Sequence, residues 1–341
     1  MAKVLVTGAS GFIASHTILA LLARGYEIRG TVRDASKGAR LNRILGTFSG
    51  EAVNIEIVEA DLSSDQGWDK AVEGVSFVQH IASPLPANLP HDVQKLIVPA
   101  REGALRVLKA AKCAGVKRVV MTSSTAAIAY GWGDRLPDVL TEEHWSNPEN
   151  LNDHTAYTLS KTLAEKAAWD YVKQEGAGLE LTTIQPSVVV GPVMSNDYST
   201  SIEIVTQLLQ GKLPGLPKLG FQLVDVRDVA DAHVRAMETP EAAGERFIVT
   251  NEYLWLNEIA QCLKKEFPEK SKRVPTKSLP SWFIRVLAYV NPPLKLILPN
   301  LNKKRFHSNE KSKTRLKWQP RPASESLIDC VNSLDRMSSM G

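Results

Sequence analysis

The feature that most limits how this chain folds is a short apolar segment that leads into a glycine turn near its N-terminus. Segment 4–6 is entirely apolar, and Gly8 and Gly11 follow it closely. An unbroken apolar run is typical of a central parallel strand that is covered on both faces. Gly8 permits a tight turn, and Gly11 lets the backbone approach a phosphate or a neighbouring element. We therefore expect a strand, a turn and a helix beginning near Ile13, an arrangement that binds a pyrophosphate at the helix N-terminus.

The spacing of the two glycines is shorter than the three-glycine pattern of many dinucleotide-binding proteins. A tight turn that binds no ligand is the simpler interpretation of such a pair. The glycine pair lies between a predicted strand and a predicted helix at the start of the chain, and this context favours a dinucleotide site over a plain turn.

Composition limits the class of protein. Of the 341 residues, 43% are apolar and 23% are charged, which is typical of a globular protein rather than a disordered one. The formal net charge of +4 does not require a nucleic-acid partner. The three cysteines are far apart and show no metal-ligand spacing, so we expect no metal site and a reducing, cytoplasmic location. We expect no secretory leader, because the N-terminal apolar run is only three residues long, and no membrane span, because no run reaches the roughly 18 apolar residues that a span needs.

Strand-like and helical segments alternate through the first half of the chain. This alternation predicts an α/β fold with a doubly wound parallel sheet of the Rossmann type and a smaller C-terminal substrate lobe. We expect residues 1–186, with about 220–250, to form the NADP-binding domain, and residues 187–219 and 251–341 to form the irregular substrate-binding lobe. The basic residues 303–305 and 311–317 are interpreted as a solvated face. The predicted strands after the first cover 26–32, 54–58, 77–82, 116–121, 181–185 and 246–249.

The residues after the second predicted strand indicate which dinucleotide is bound. Arg33 and Lys37 lie about 20 residues past the glycine turn, where an acidic residue would hydrogen-bond the ribose hydroxyls of NAD. Cationic side chains there would instead neutralise the 2′-phosphate of NADP. Asp34 could instead hydrogen-bond the ribose, which would suit NAD. A solvated basic loop that binds no ligand is the other alternative. We favour NADPH.

Tyr157 and Lys161 are four residues apart in a helical stretch, so their side chains lie on one face. A phenol has a pKa near 10, and a neighbouring cation lowers that pKa by stabilising the phenolate. Tyr157 would then donate a proton to a carbonyl oxygen, and Lys161 would also bind the nicotinamide ribose. Ser124, at the end of the fifth predicted strand, would hold the substrate oxygen. A tyrosine and a lysine at this spacing, or a serine after a strand, are each common in ordinary proteins. The prediction rests on their occurring together, in the order glycine turn, strand-end serine and Tyr–Lys helix.

In these motifs the chain resembles the extended short-chain dehydrogenases/reductases. Within that family it looks most like the dihydroflavonol reductase, cinnamoyl-CoA reductase and yeast methylglyoxal/carbonyl reductase branch. The matching segments are 7–14, 61–62, 122–124, 157–161, 186–192 and 224–233, and segments 31–34, 82–84 and 160–165 are typical of the branch. The resemblance implies a catalytic triad of Ser124, Tyr157 and Lys161. With the basic loop, it implies cofactor contacts from Thr7, Gly8, Ser10, Gly11, Phe12, Ile13, Arg33, Lys37, Asp61, Leu62, Ala82, Ser83, Thr122, Tyr157, Lys161, Pro186, Ser187 and Val188.

The chain also departs from the patterns of that branch. Segment 125–129 lacks the asparagine that follows the catalytic serine in the plant flavonoid enzymes. Segment 153–157 lacks the Asn-Trp-Tyr-Cys-Tyr motif of cinnamoyl-CoA reductases. Segment 99–103 lacks the asparagine that many relatives carry on the fourth helix. These departures argue against those two substrates, and we assume no proton relay through that asparagine.

Taken together, the residues and the resemblance predict an NADPH-dependent carbonyl reductase that runs reversibly as an alcohol dehydrogenase. Its expected partner is a small carbonyl substrate, and the protein is expected to be a monomer or a homodimer. An NAD-dependent sugar-nucleotide epimerase or dehydratase of the same fold is the first alternative, and Arg33 argues against it. A non-catalytic NADP-sensing protein is the second, although such proteins tend to lose the tyrosine and the lysine.

Overall fold

The computed structural model describes residues 2–84, 92–195, 200–290, 294–295 and 297–340. Within these ranges the strands are β1 (Lys3–Val6), β2 (Glu27–Val32), β3 (Glu56–Glu59), β4 (Phe77–His80), β5 (Arg118–Thr122), β6 (Glu180–Pro186), β7 (Val188–Val190), β8 (Leu216–Pro217), β9 (Gly220–Asp225), β10 (Arg246–Val249), β11 (Tyr253–Trp255) and β12 (Ser278–Leu279). The α-helices are α1 (Phe12–Leu22), α2 (Gly38–Ser49), α3 (Trp68–Val72), α4 (Gln94–Cys113), α5 (Ala156–Gln174), α6 (Thr200–Leu209), α7 (Val226–Glu238), α8 (Leu256–Glu266), α9 (Ser281–Val290), α10 (Glu310–Arg315) and α11 (Ala323–Met340).

A seven-stranded sheet with the order β10-β6-β5-β4-β1-β2-β3 organises the fold. Every neighbouring pair in it is parallel. The order reverses between β1 and β4, because the chain crosses from β3 at one edge back to the centre. The carboxyl ends of these two strands therefore flank a crevice, the usual place of a ligand in a doubly wound sheet. The predicted Rossmann-type α/β fold is confirmed.

The two faces of the sheet carry separate apolar cores because successive side chains of a strand point to opposite faces. On one face, Val4 and Val6 of β1 pack with α1 and α7. On the other face, Leu5 packs with residues of α4 and α5. This cover on both faces explains why β1 has a continuous apolar sequence rather than an alternating one.

A second, three-stranded sheet has the order β11-β9-β7. Its strands β7 and β11 lie in segments expected to be irregular, whereas β9 lies in the range 220–250 that was assigned to the dinucleotide-binding domain. The strands β7 and β11 are three residues long, too short to show a period-two pattern. Helices α6, α8 and α11 share a core with this sheet that includes Val190, Ile202, Leu223, Ile259 and Leu327. Local sequence does not reveal such strands because their pairing partners lie far away along the chain. No helix in the described part of the chain is long and apolar enough to cross a bilayer.

Candidate active site

The carboxyl edge of the large sheet brings together most of the residues that the sequence singled out. The turn after β1 lies directly against the end of β4, since a Cβ added to Gly8 would lie 2.9 Å from the Cβ atom of Ala82. Ser83 follows Ala82 there and is partly exposed. Ser124 follows β5 in the neighbouring position. The strand ends thus form one continuous edge.

The glycine turn is held by the neighbouring strand β2. Gly8 has a φ of 63°, a left-handed conformation that favours glycine. Its N–H donates to Thr31 Oγ1 at 3.1 Å, and the N–H of Ala9 donates to the Thr31 carbonyl oxygen at 2.9 Å. Helix α1 follows, with Gly11 as its N-cap and no side-chain hydrogen bond at the cap. The first amides of α1 lack a capping side chain and suit an anionic ligand.

The hydroxyl of Thr7 joins β1 to β4. Thr7 Oγ1 accepts hydrogen bonds from the N–H groups of Ile81 and Ala82, both at 3.0 Å, so its own proton points to His80 Nδ1, 3.0 Å away. Burial, together with the positive charge of Lys161, lowers the pKa of His80 to about 3. His80 is therefore a neutral, buried histidine, and its ring lies near Lys161. The side chain of Thr7 is fully used within the fold, so a cofactor contact would come from its main chain.

The basic loop after β2 contains a helix cap. The Asp34 carboxylate accepts hydrogen bonds from Ser36 N at 3.0 Å and Ser36 Oγ at 2.6 Å, and so caps the 3₁₀ turn at 35–37. Arg33 is exposed. The side chain of Lys37 lies outside the described residues. The structure therefore gives Asp34 a local structural role that the sequence left open.

Asp61 and Leu62 follow β3 at the same edge of the sheet. Hydrogen bonds from the hydroxyl and the N–H of Ser63 lower the pKa of Asp61, and the positive charge of Arg33 adds to this effect. Both hydrogen bonds reach Oδ1, and Oδ2 has no hydrogen-bond partner among the described residues. Leu62 packs on α4, where a Cβ added to Gly103 would lie 2.9 Å from the Leu62 Cβ atom.

Helix α5 begins with a capping box that fixes the orientation of its first turn. Thr155 Oγ1 accepts from Thr158 N at 3.2 Å, and Thr158 Oγ1 accepts from Thr155 N at 2.9 Å. Tyr157 therefore lies in the first turn, where the helix dipole favours negative charge on the phenol oxygen. Lys161 follows one turn later, with its Nζ atom 6.0 Å from the centre of the Tyr157 ring.

Ser124 meets Tyr157 from the end of β5. Its hydroxyl accepts a hydrogen bond from Ala126 N at 3.1 Å and interacts with the Tyr157 phenol. Burial raises the pKa of Tyr157, the Ser124 hydroxyl lowers it, and the Tyr130 phenol raises it. Burial lowers the pKa of Lys161 to about 8, although the charge of Glu165 opposes this shift. The three side chains thus form one cluster.

Three further residues predicted to contact the cofactor, Thr122, Ser187 and Val188, lie at or near the ends of β5 and β6. The side chain of Thr122 points to the opposite face of the sheet, where its Oγ1 lies 2.8 Å from His233 Nε2. Ser187 follows Pro186 at the end of β6, and its Oγ accepts from Thr250 Oγ1 at 2.7 Å. Val188 begins β7 and is partly exposed. For Thr122, only the main chain is available to a ligand at this edge.

A buried charged cluster beside Tyr157 was missed in the sequence. The guanidinium carbon of Arg305 lies 4.2 Å from the centre of the Tyr130 ring, and Arg305 Nη2 donates to Asp153 Oδ1 at 2.6 Å. Tyr130 Oη donates to Asn300 Oδ1 at 3.0 Å. Arg305 is only 8% exposed, so the prediction of a solvated face for the basic stretch is wrong at this residue. Its partners lie far away in sequence, and no local pattern indicated them.

Comparison with known proteins agrees with this geometry. The sequence profile described as NAD dependent epimerase/dehydratase family matches residues 4–250. The chain belongs to this family. The predicted resemblance to the extended short-chain dehydrogenases/reductases is therefore confirmed. The strand order of the large sheet agrees with membership of this family.

Several relatives of this chain are named as reductases. Cinnamoyl-CoA reductase CAD2 of Medicago truncatula is 36% identical over 277 residues, which cover 80% of this chain and 83% of the relative. Ketoreductase azaE of Aspergillus niger is 34% identical over 294 residues, covering 82% and 86%. A crystal structure of the yeast methylglyoxal/isovaleraldehyde reductase Gre2 complexed with NADPH is similar, with a TM-score of 0.79 and 27% identity over 99% of both chains.

Proposed function

We propose that this protein is an NADPH-dependent carbonyl reductase that converts aldehydes or ketones to alcohols and catalyses the reverse oxidation. The observation that carries the proposal is the cluster of Ser124, Tyr157 and Lys161 beside the glycine turn. The reductase relatives and the NADPH complex of a similar enzyme support it. We also propose that substrate binds between the sheet domain, residues 1–186 with about 220–250, and the lobe formed by 187–219 and 251–341.

The glycine turn fits the pyrophosphate of a dinucleotide. The first amides of α1 have no capping side chain, and the positive end of the helix dipole points to the same place. At the far end of the crevice, Arg33 supplies a cation for a 2′-phosphate, and the open oxygen of Asp61 is available to the adenine. When bound, NADPH supplies a hydride to the carbonyl carbon.

In the proposed reaction, the three side chains of the cluster would donate the proton and stabilise the charge that its transfer leaves behind. Tyr157 donates its phenol proton to the carbonyl oxygen as negative charge develops there. Ser124 donates a second hydrogen bond to the same oxygen and keeps it beside the phenol. Lys161 stabilises the resulting phenolate through its positive charge, because an opposite charge favours the ionised form of a neighbouring acid. The sequence predicted that a cation would lower the pKa of Tyr157, but burial is the largest effect and raises that pKa. The phenol is therefore protonated at neutral pH, and the charge of Lys161 would act on the phenolate that forms.

A change in cofactor preference tests the basic loop. We expect Arg33→Ser to raise the KM for NADPH by about 10- to 100-fold, because one charge-assisted contact is worth about 1.5–3 kcal/mol. The KM for NADH should change little, since NADH has no 2′-phosphate. Arg40→Ser is the control, because Arg40 is exposed on the neighbouring helix α2. An equal rise for both cofactors would show that Arg33 does not contact the phosphate.

The glycine turn gives a second test. We expect Gly8→Ala to weaken NADPH binding and to destabilise the protein by about 1–2 kcal/mol, because L-residues are strained in the left-handed region. The added Cβ would also displace Ala82. Gly25→Ala is the matched control: its φ is +79°, with nothing within 4 Å of an added Cβ. Fluorescence titration and urea unfolding should show lost stability in both variants but weakened binding in Gly8→Ala alone.

The decisive experiment is a substrate panel run with NADPH and NADH side by side. Oxidation of NADPH by an aldehyde, an α-dicarbonyl or a β-keto ester would support the proposal. A tightly retained NAD with isomerisation of a UDP-sugar would favour an epimerase instead. Tight NADPH binding without turnover of any carbonyl would favour a sensing protein.

A further inference from the structure

Glu165 is a buried carboxylate one helical turn beyond Lys161 on α5. Its exposed fraction is 0%. Residues four apart on a helix are neighbours on the same face, so Tyr157, Lys161 and Glu165 form a single row. Burying a carboxylate is unfavourable unless hydrogen bonds and an opposite charge compensate it. The groups that donate to this carboxylate are Thr183 Oγ1 at 2.9 Å, Gln185 Nε2 at 2.7 Å, Trp169 Nε1 at 3.3 Å, Arg246 Nε at 2.8 Å and the hydroxyl of Ser123.

These contacts connect α5 to three strands of the sheet. Ser123 directly follows β5 and precedes Ser124, while Thr183 and Gln185 belong to β6. Arg246 starts β10 and supplies the balancing positive charge. The Glu165 carboxylate therefore lies between α5, which carries Tyr157 and Lys161, and the strand ends that position Ser124.

Arg246 extends the same connection to a loop beside the site. Its Nη1 atom donates to the carbonyl oxygens of Glu142 at 2.5 Å and His144 at 2.8 Å. Its guanidinium carbon lies 3.7 Å from the centre of the Trp145 ring. The next residue, Ser146, donates to Ala126 O at 2.8 Å, within the turn that Ser124 caps. The loop and the catalytic serine are thus fixed to one ion pair.

We propose that Glu165 is a positioning residue of the reductase: it keeps Lys161 protonated and holds the Ser123–Ser124 end of β5 against α5. The inference rests on the proposed function. A merely structural ion pair would require neither a place beside Lys161 nor a hydrogen bond from Ser123. Buried pairs of this kind can often be replaced by apolar residues without loss of stability.

The electrostatic effect has a definite sign. Lys161 faces Tyr157 and Glu165 on its own helix and His80 on β4. Burial lowers the pKa of Lys161 to about 8, and Glu165 raises it. The pKa of His80 is about 3, so His80 is neutral near pH 8 and does not replace the lost charge. Removing the charge of Glu165 therefore lowers the pKa of Lys161 further, and the lysine loses its proton within the neutral range.

The test measures the ionisation of Lys161 without requiring activity. Competitive labelling of amines with acetic anhydride, read by mass spectrometry across pH, gives an apparent pKa for this lysine in the cofactor-free protein. We expect Glu165→Gln to lower that pKa by about 1 pH unit, the effect of losing one nearby opposite charge. The fall of kcat at high pH should move to lower pH by the same amount.

Two further variants separate positioning from folding. Trp169→Phe removes one hydrogen bond to the carboxylate but leaves its charge, so the labelling pKa should stay unchanged. The double variant Glu165→Gln with Arg246→Met removes both buried charges and avoids an unpaired guanidinium, so it should fold and still show the lower pKa. An unchanged labelling pKa in the folded double variant would overturn the inference. Wild-type protein without reductase activity would overturn the proposed function alone, because the labelling result does not depend on turnover.

Discussion

Replacing Tyr157 with phenylalanine is expected to lower kcat/KM for carbonyl reduction by about 10²- to 10⁴-fold, the usual contribution of a positioned general acid. The variant keeps the ring and its packing but loses the proton that neutralises the developing alkoxide. NADPH binding should stay close to that of the wild type, because Lys161 and the glycine turn are unchanged. Steady-state kinetics with a carbonyl substrate and a fluorescence titration with NADPH measure the two effects separately.

Tyr130→Phe is the matched control for this variant. It removes a second phenol next to the site, whose hydroxyl donates to Asn300, without removing the proposed acid. A small change in kcat is therefore expected from Tyr130→Phe. If Tyr157→Phe retained wild-type activity, or if the two variants lost activity equally, Tyr157 would not be the proton donor.

Arg305→Met is expected to destabilise the protein by about 3–5 kcal/mol, the effect of breaking a buried ion pair by removing one partner. The carboxylate of Asp153 would stay buried, with 5% side-chain exposure, after losing its most buried cation. The methionine also loses the contact between the guanidinium and the Tyr130 ring. Urea unfolding monitored by tryptophan fluorescence measures the loss, and activity should fall as the loop that carries Tyr130 relaxes.

Lys303→Met separates the buried pair from a surface pair. Lys303 Nζ binds the same Asp153 oxygen at 2.8 Å, but its side chain is 37% exposed. Exposed ion pairs contribute at most about 1 kcal/mol, so this variant should be much less destabilised. Burial raises the pKa of Asp153, but hydrogen bonds and charge from Lys303 and Arg305 outweigh it and leave the pKa below its usual value. The stabilisation is therefore present at neutral pH and is lost as the pH falls through the lowered pKa. Equal losses in the two variants would contradict this account.

The ion pairs of Arg305 and of Arg246 have a common arrangement. Each joins a C-terminal part of the chain to an acidic side chain on or just before α5, the helix of Tyr157 and Lys161. Arg305 acts through Asp153, and Arg246 acts through Glu165. The position of α5 therefore depends on segments that are distant in sequence. Substitutions in the C-terminal region that never contact substrate are expected to change the rate.

Local sequence determined the parts of this protein that depend on neighbouring residues. The apolar run of β1, the glycine turn after it and the four-residue spacing of Tyr157 and Lys161 each express a short-range rule of backbone geometry. The alternation of strands and helices then fixed a parallel sheet, because parallel strands need crossover connections. These rules require no knowledge of distant contacts, and for that reason the fold class was predictable.

Only the tertiary structure shows which polar side chains are bound to partners within the fold and which are free to contact a ligand. Thr7 meets His80 across 73 positions of the chain, Arg246 meets Glu165 across 81, and Arg305 meets Asp153 across 152. The second sheet also depends on such distant pairing. A buried charge is stable only beside its partner, and no periodicity along the chain identifies a partner that three-dimensional packing brings into place.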